Sequence, residues 1–157
     1  MNPAPKKAKI LQLAVAVARV GLGLVFAWAA IGKLGDPATF ADDIANYRLV
    51  PASWVGPIAV TVPGVELTVA ALLIVGACTR AAAVITSGML VVFTVAIVQA
   101  LGRGVNLSCG CFGGTLEPAS KWTVVRDLVL LAWAALVAGY GRGEDREDRA
   151  AEPTRPG

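Results

Sequence analysis

The chain has 157 residues, of which 56% are hydrophobic and only 16% are charged, and it contains no histidine. Soluble domains are about 45–50% apolar and about 25% charged, so this composition excludes an ordinary soluble globular protein. Without histidine and with few carboxylates, most acid–base and metal chemistry is excluded as well. The formal net charge of +3 implies no nucleic-acid partner, because the basic residues lie where membrane topology requires them.

Four long apolar blocks predict four membrane-spanning helices. They cover Leu13–Leu34, Pro57–Ala77, Ala81–Leu101 and Trp122–Tyr140. Each is close to the roughly 20 residues that cross about 30 Å of hydrocarbon, and helices satisfy their own backbone groups in lipid. We therefore predict an all-α integral membrane four-helix bundle over residues 13–140. A basic segment, 1–12, precedes it, and a disordered charged tail, 141–157, follows it.

The basic N-terminus predicts the orientation in the membrane. Lys6, Lys7 and Lys9 precede the first span, and positive residues favour the cytoplasmic side. Four spans return the C-terminus to that side, so we expect a multi-pass plasma-membrane protein in the lipid bilayer with both termini cytoplasmic. The alternative is a signal peptide cleaved near Ala27–Ala29. It fits poorly because the apolar run is long for a signal core and Arg19 interrupts it.

The stretch between the first two spans predicts a short helix. Asp36-Pro37 is a helix-start signal, and the apolar residues that follow are spaced by polar ones as far as Pro51. This pattern is typical of an amphipathic helix that lies along the outer membrane interface. Such a helix can cover the next outer loop or receive a partner protein.

Close helix packing is predicted for the first span. Gly21 and Gly23 lie in it, followed by several alanines. Small residues let membrane helices approach each other closely. The tryptophans fit interfacial or packing positions better than a cofactor site.

Glu66 is the most informative charged residue within an apolar block. A charge at the centre of a spanning helix costs about 2.5–3.5 kcal/mol on insertion scales, so it usually faces the bundle interior and has a partner. Candidate partners are Arg126 and Asp127, one turn into the fourth span, and Lys33 at the end of the first. Two interpretations are open. The residue forms an ion pair that sets helix register, or it serves a proton relay or a quinone headgroup.

Cys109-Gly110-Cys111 lies in the short polar loop between the third and fourth spans. On the predicted topology this loop faces the oxidising side, where the two thiols can form a disulfide. So short a ring adds little stability, which favours a role in exchange with an attacking thiolate. Arg103 and Lys121 bracket the loop with positive charge that favours thiolate.

The two cysteines of the loop also have other interpretations. Two thiols make a poor zinc site, because zinc usually takes four ligands, and no methionine cluster accompanies them for Cu(I). We therefore assign no metal. A chemically idle glycine-rich turn stays open. The third cysteine, Cys78, lies at the inner end of the second span, and we expect it to pack at a helix end.

Seven stretches match the pattern of one known family. They are Ala18–Phe26, Gly32–Pro37 with Phe40, Tyr47–Pro51, Glu66-Leu67, Gly76–Arg80, Ser108–Gly113 and Trp122–Asp127. Together they make residues 14–140 resemble the MauE family of methylamine utilisation proteins, within the DoxX-like four-helix membrane proteins. The most specific part is Cys-Gly-Cys-Phe-Gly with the Trp and Arg that follow it.

The resemblance implies a membrane protein that matures the disulfide-rich small subunit of methylamine dehydrogenase beside a thioredoxin-like partner. It implies that Cys109 and Cys111 are the redox pair, while Lys33, Glu66 and Arg126 match family positions without a settled role. We expect a membrane thiol–disulfide component, an oxidoreductase in chemical terms; no cofactor is assigned, although a quinone is compatible. The alternatives are a non-catalytic assembly or chaperone subunit, and a small transporter that uses Glu66.

Overall fold

A computed structural model of the chain describes residues 6–103 and 121–140. Within these ranges the chain forms five helices: α1 Lys6–Gly35, α2 Pro37–Tyr47, α3 Ala52–Val75, α4 Thr79–Gly102 and α5 Lys121–Tyr140. Short connections join the first four of them. The all-α prediction is confirmed. The predictions for Cys109 and Cys111, and for the tail 141–157, lie outside the described residues.

Four of these helices, α1, α3, α4 and α5, are long and apolar enough to cross a membrane. All four begin earlier than predicted, and the difference is largest for α1 and α3. Helix α1 includes the basic residues from Lys6 onward, because lysine is a good helix former. Helix α3 begins at Ala52 after Pro51 and continues through Pro57 and Pro63, since prolines are tolerated inside membrane helices. The short α2 lies between the first two spans, as the sequence predicts.

The four long helices pack as a bundle. Helix α1 lies against α3 and helix α4 against α5, while contacts of α3 with α4 and of α1 with α5 close the arrangement. The core is made of large apolar side chains and alanines, including Leu22, Phe26, Leu73, Leu90 and Ala134. The outside of the spanning helices is also apolar, with many exposed valines and leucines. A water-soluble bundle would present charges there, so this surface suits lipid.

Gly23 permits the close contact between α1 and α3. A β-carbon added there would lie 2.8 Å from Ile74 Cγ1 and 3.0 Å from the backbone oxygen of Ala70. Gly21 similarly faces the Trp133 ring, 3.0 Å from its added β-carbon. The predicted role of these small residues is confirmed, because a side chain at either position needs space that a neighbour occupies.

Replacement of Gly23 by alanine is expected to destabilise the bundle by about 1–3 kcal/mol, because the Ala70 carbonyl is backbone and cannot move aside. The matched control is Gly64→Ala in α3, where an added β-carbon meets nothing within 4 Å. That variant should be neutral or slightly stabilising, since alanine favours helix over glycine. Thermal unfolding in detergent measures both, and equal melting temperatures would contradict the close packing of Gly23.

Helix α2 has a well-formed start. The Asp36 carboxylate accepts hydrogen bonds from the Thr39 backbone N–H at 3.0 Å and from the Thr39 hydroxyl at 2.7 Å, and Pro37 follows at the first helical position. The bond from the Thr39 N–H lowers the pKa of Asp36. Helix α2 packs against α3 and buries Asp43. Burial raises the pKa of Asp43, and the negative charge of the neighbouring Asp42 raises it further.

Replacement of Asp36 by alanine is expected to loosen the first turn of α2 at neutral pH, with faster amide hydrogen exchange at Thr39 and Phe40. Because the folded-state pKa of Asp36 is lowered, its contribution is complete above the unfolded value of 3.8. The contribution is lost as the pH falls through the lower folded value. The exposed residue Asp42 supplies a matched control, Asp42→Ala, which should leave exchange at Thr39 unchanged; equal acceleration in both variants would exclude a specific cap.

The turn between α3 and α4 is built around Gly76, whose φ of 89° ends α3 in the left-handed conformation. A β-carbon there would overlap the guanidinium of Arg19, so Arg19 reaches the carboxyl end of α3, where positive charge is favourable. Cys78 also has a positive φ, 49°, in this turn. Its side chain is exposed, so the prediction of a packing residue is wrong. The chain reverses direction there, between the end of α3 and the start of α4.

Candidate functional site

Lys33 and Glu66 form an ion pair buried inside the bundle. The Lys33 ammonium lies 2.8 Å from Oε1 and 2.9 Å from Oε2 of Glu66, and the two side chains are only 2% and 1% exposed. Lys33 comes from the last turn of α1 and Glu66 from the middle of α3. The prediction that Glu66 faces the interior with a charged partner is confirmed, and Lys33 is that partner.

The surroundings of Lys33 bring together four helices. Its ammonium donates a long hydrogen bond of 3.5 Å to the Ala29 carbonyl, one turn earlier in α1. It also lies 5.6 Å from the ring centre of Phe40 in α2 and 5.7 Å from that of Phe93 in α4. Aromatic faces attract cations within about 6 Å. The charge is therefore held by a carboxylate, a carbonyl and two rings.

Phe40 and Phe93 were not predicted to be neighbours of Lys33. Helical spacing places Phe40 one turn after the α2 cap and Phe93 within α4, but it does not show which residues of separate helices meet. Nothing in the pattern of a single sequence marks an apolar ring as the neighbour of an ammonium, so no signal was available.

A small cavity lies beside the ion pair. Its volume is about 20 Å³, and its lining includes Lys33, Glu66 and Asp127, with apolar side chains of Val25, Phe26, Ala29, Leu90, Phe93 and Leu130. That volume holds about one water molecule. It is too small for a quinone ring.

Arg126 and Asp127, the other predicted partners of Glu66, are neighbours in α5. The Arg126 guanidinium donates to Asp127 Oδ1 at 3.3 Å, with the arginine side chain 39% exposed and the aspartate side chain 5% exposed. Asp127 reaches the cavity next to Glu66. Arg126 thus contacts Asp127, and within the described residues the ion-pair partner of Glu66 is Lys33 and neither of these two residues.

Arg103 links the end of α4 to the end of α2. Its guanidinium donates to the Tyr47 carbonyl at 2.6 Å and to the Gln99 carbonyl at 3.2 Å. Arg103 lies six positions before Cys109 in the sequence. The point at which the chain leaves α4 toward the cysteines is therefore tied to α2. The predicted effect of Arg103 on thiolate stability stays a prediction.

The remaining predicted site residues are not described at the level of side chains. Cys109 and Cys111 fall between the described ranges, and Lys121 begins α5 with its side chain outside the description. Of the predicted set, the structure brings Lys33 and Glu66 into contact and places Arg126 against Asp127, which lines the cavity beside Glu66.

Comparison with known proteins identifies the family. The family model described as methylamine utilisation protein MauE matches residues 11–140. The chain belongs to the MauE family. The methylamine utilization protein MauE of Paracoccus denitrificans is 36% identical over 122 residues, which cover 76% of this chain and 66% of that relative. The MauE protein of Methylophilus methylotrophus is 33% identical over 120 residues, which cover 74% and 63%.

The MauE match includes every predicted site residue. Lys33, Glu66 and Arg126 lie within the matched residues 11–140, and so does the stretch with the two cysteines. The matched region spans just under two thirds of these relatives' own length, at 66% and 63%. No solved structure matches the chain.

Proposed function

We propose that this MauE-family protein is a membrane thiol–disulfide component that acts through Cys109 and Cys111. The observation that carries the proposal is the Cys-Gly-Cys sequence itself, placed between two membrane-crossing helices within the region matched to MauE. The relatives are named for methylamine utilization. That name supports a role in methylamine metabolism. Within it, the proposed role is the maturation of a disulfide-containing partner, such as the small subunit of methylamine dehydrogenase.

The proposed reaction partner is an extracytoplasmic thioredoxin-like protein with two thiols. One partner thiolate attacks a sulfur of the Cys109–Cys111 disulfide, which forms a mixed disulfide and releases the other cysteine as a thiolate. The partner's second thiolate then attacks the partner sulfur of that mixed disulfide. The partner leaves oxidised, and the cysteine pair has gained two electrons. The reverse sequence transfers them outward.

The contact of Arg103 with Tyr47 supports a docking role for α2 in this exchange. It joins the end of α2 to the end of α4, which leads to the cysteines. Helix α2 therefore lies at the end of the bundle from which the cysteine loop starts. A partner that approaches the cysteines meets α2 on the same side of the membrane.

Cys109→Ala and Cys111→Ala, each alone, are expected to accumulate a mixed disulfide, because the cysteine that would resolve it is missing. The complex is trapped with acid and an alkylating agent, then detected on non-reducing gels after affinity purification. Cys78→Ala is the matched control and should trap nothing. If neither loop variant forms a complex and both fully complement a deletion strain, the redox proposal is wrong.

The proposed topology is tested by labelling with a membrane-impermeant thiol reagent in intact cells after mild reduction. Cys109 and Cys111 are expected to label without permeabilisation. Cys78 is an internal reference, because its thiol is exposed in the turn at the other end of α4. It should label only after permeabilisation. If Cys78 labels in intact cells and the loop cysteines label only after permeabilisation, the loop lies in the cytoplasm and the proposal is contradicted.

A further inference from the structure

An open apolar groove follows the side of α3 that is exposed on the bundle surface. Its lining extends along the helix from Gly64 to Val75 and ends at Ala77, in the turn before α4, and its volume is about 470 Å³. Ligand sites typically have volumes of about 300–1,000 Å³. Thr68 is the one polar side chain among the described lining residues, and its hydroxyl donates to the Gly64 carbonyl at 2.8 Å. The groove therefore suits an apolar ligand.

The groove is as long as one leaflet of a membrane is deep. Gly64 and Val75 are eleven positions apart in α3, which corresponds to about 16 Å at 1.5 Å per residue. Half of the hydrocarbon core of a bilayer measures about 15 Å. An acyl chain that extends from the membrane interface to the bilayer centre can therefore lie along the whole groove.

Unpaired positive charge lies at the end of the groove. Val75 and Ala77 are the chain neighbours of Gly76, where an added β-carbon would overlap the Arg19 guanidinium. The Nε of Arg19 is buried and has no hydrogen-bond partner among the described residues. Arg80, in the first turn of α4, is exposed and likewise forms no ion pair within the described part of the chain. A buried donor without an acceptor is costly, so an acceptor from outside the protein is favourable here.

The start of α4 adds further hydrogen-bond donors beside these arginines. Cys78 occupies the N-cap position and makes no side-chain hydrogen bond to the first turn, and the Thr79 hydroxyl donates back to the Gly76 carbonyl at 3.2 Å. The free N–H groups and the dipole of a helix N-terminus favour an anion. The described carboxyl groups belong to α2 and its cap, to the middle of α3 and to α5. None of them is paired with Arg19 or Arg80.

We propose that the α3 groove and the turn between α3 and α4 bind one anionic phospholipid. One acyl chain lies along α3 from Val75 toward Gly64, and the headgroup phosphate accepts hydrogen bonds from the Arg19 guanidinium, which suits phosphate, and from the start of α4. Arg80 adds a second positive charge that favours an anionic lipid over a zwitterionic one. On the proposed topology this lipid belongs to the cytoplasmic leaflet, where anionic lipids attract basic residues. The site does not involve the cysteines and goes beyond the proposed function.

Native mass spectrometry of the purified full chain tests the site. The protein is released from micelles that contain equal amounts of phosphatidylglycerol and phosphatidylcholine with the same acyl chains. We expect one phosphatidylglycerol to stay bound in preference to phosphatidylcholine. Arg19→Gln should lower the retention of phosphatidylglycerol about fivefold, the usual effect of one basic residue near an anionic surface. Arg48→Gln, at an exposed arginine just after α2, is the matched control and should retain it fully.

Two variants at exposed positions extend the test. Ala71→Phe fills the groove and leaves the arginines in place, so it should also reduce the retention of phosphatidylglycerol. Arg80→Gln should reduce it as well, and it replaces Arg19→Gln if that variant does not fold.

The proposal is overturned if the wild type retains the two lipids equally, or if Ala71→Phe or the folded arginine variant retains phosphatidylglycerol as the wild type does. A lipid-free dimer that Ala71→Phe dissociates would assign the groove to a second copy of the chain and would also overturn it. Mixed-disulfide trapping by Cys109→Ala and Cys111→Ala is independent of these results, so the two proposals fail separately.

Discussion

Lys33→Met is expected to lower the free energy of unfolding by about 3–5 kcal/mol, because it leaves the Glu66 carboxylate without its ammonium partner in the bundle interior. Glu66→Leu should cost a similar amount, because it leaves the ammonium of Lys33 without its carboxylate partner. The double variant Lys33→Met/Glu66→Leu removes both charges and replaces them with apolar groups, so it should recover most of the loss. Equilibrium unfolding in mixed micelles measures the free energy of unfolding of the wild type, the two single variants and the double variant, which together form a double-mutant cycle.

The control for this cycle is Arg80→Met, which removes an exposed positive charge in the first turn of α4. It should change stability by less than about 0.5 kcal/mol. A double variant that is no more stable than the worse single variant would show that the pair does not act as a unit. Complementation by the stable double variant then distinguishes the two interpretations of Glu66. Retained activity indicates a purely structural pair, and lost activity indicates a functional one.

Cys109→Ser/Cys111→Ser is expected to abolish complementation of a deletion strain, because a hydroxyl group cannot form or exchange a disulfide. The fold should survive, since closing a three-residue ring contributes at the low end of the roughly 0–5 kcal/mol range for disulfides. Loss of activity with unchanged expression and melting temperature therefore reports on chemistry. Cys78→Ser, with its exposed thiol, should complement fully.

Retained activity in the double serine variant would instead favour the assembly or chaperone subunit, which needs a surface and not sulfur. A transporter would show a third pattern, with uptake that depends on Glu66 and not on the cysteines. Variants of the two loop cysteines and variants of Glu66 thus distinguish the three classes of function, which are the redox component, the assembly subunit and the transporter.

The membrane fold was largely predictable because its signals are local. Each spanning helix satisfies its own backbone groups and needs about 20 apolar residues, so the four blocks show the spans directly. The α2 cap is also local, since Asp36 and Thr39 are three positions apart. The error at the start of α3 has a local cause too, because prolines that would end a soluble helix are accepted in this one.

The contacts around the buried charges were only partly predictable. Burial of an unpaired charge is costly enough that Glu66 in an apolar block requires a partner. Hydropathy does not decide between Lys33 and Arg126, because both lie near helix ends on the same predicted side. The choice depends on the depth at which α1 and α3 cross and on which face each turns inward. Gly23 influences both by letting the two backbones approach closely.

The sequence alone determined the four spans and the short helix between the first two. It also determined that Glu66 needs a partner, and it contains the Cys-Gly-Cys motif. These depend on local composition and on the high cost of charge in lipid. Only the tertiary structure decided that Lys33 is the partner, that Phe40 and Phe93 flank its ammonium and that Asp127 shares its cavity. Those contacts join residues from five helices, and their geometry depends on helix rotation and depth, which no local pattern specifies.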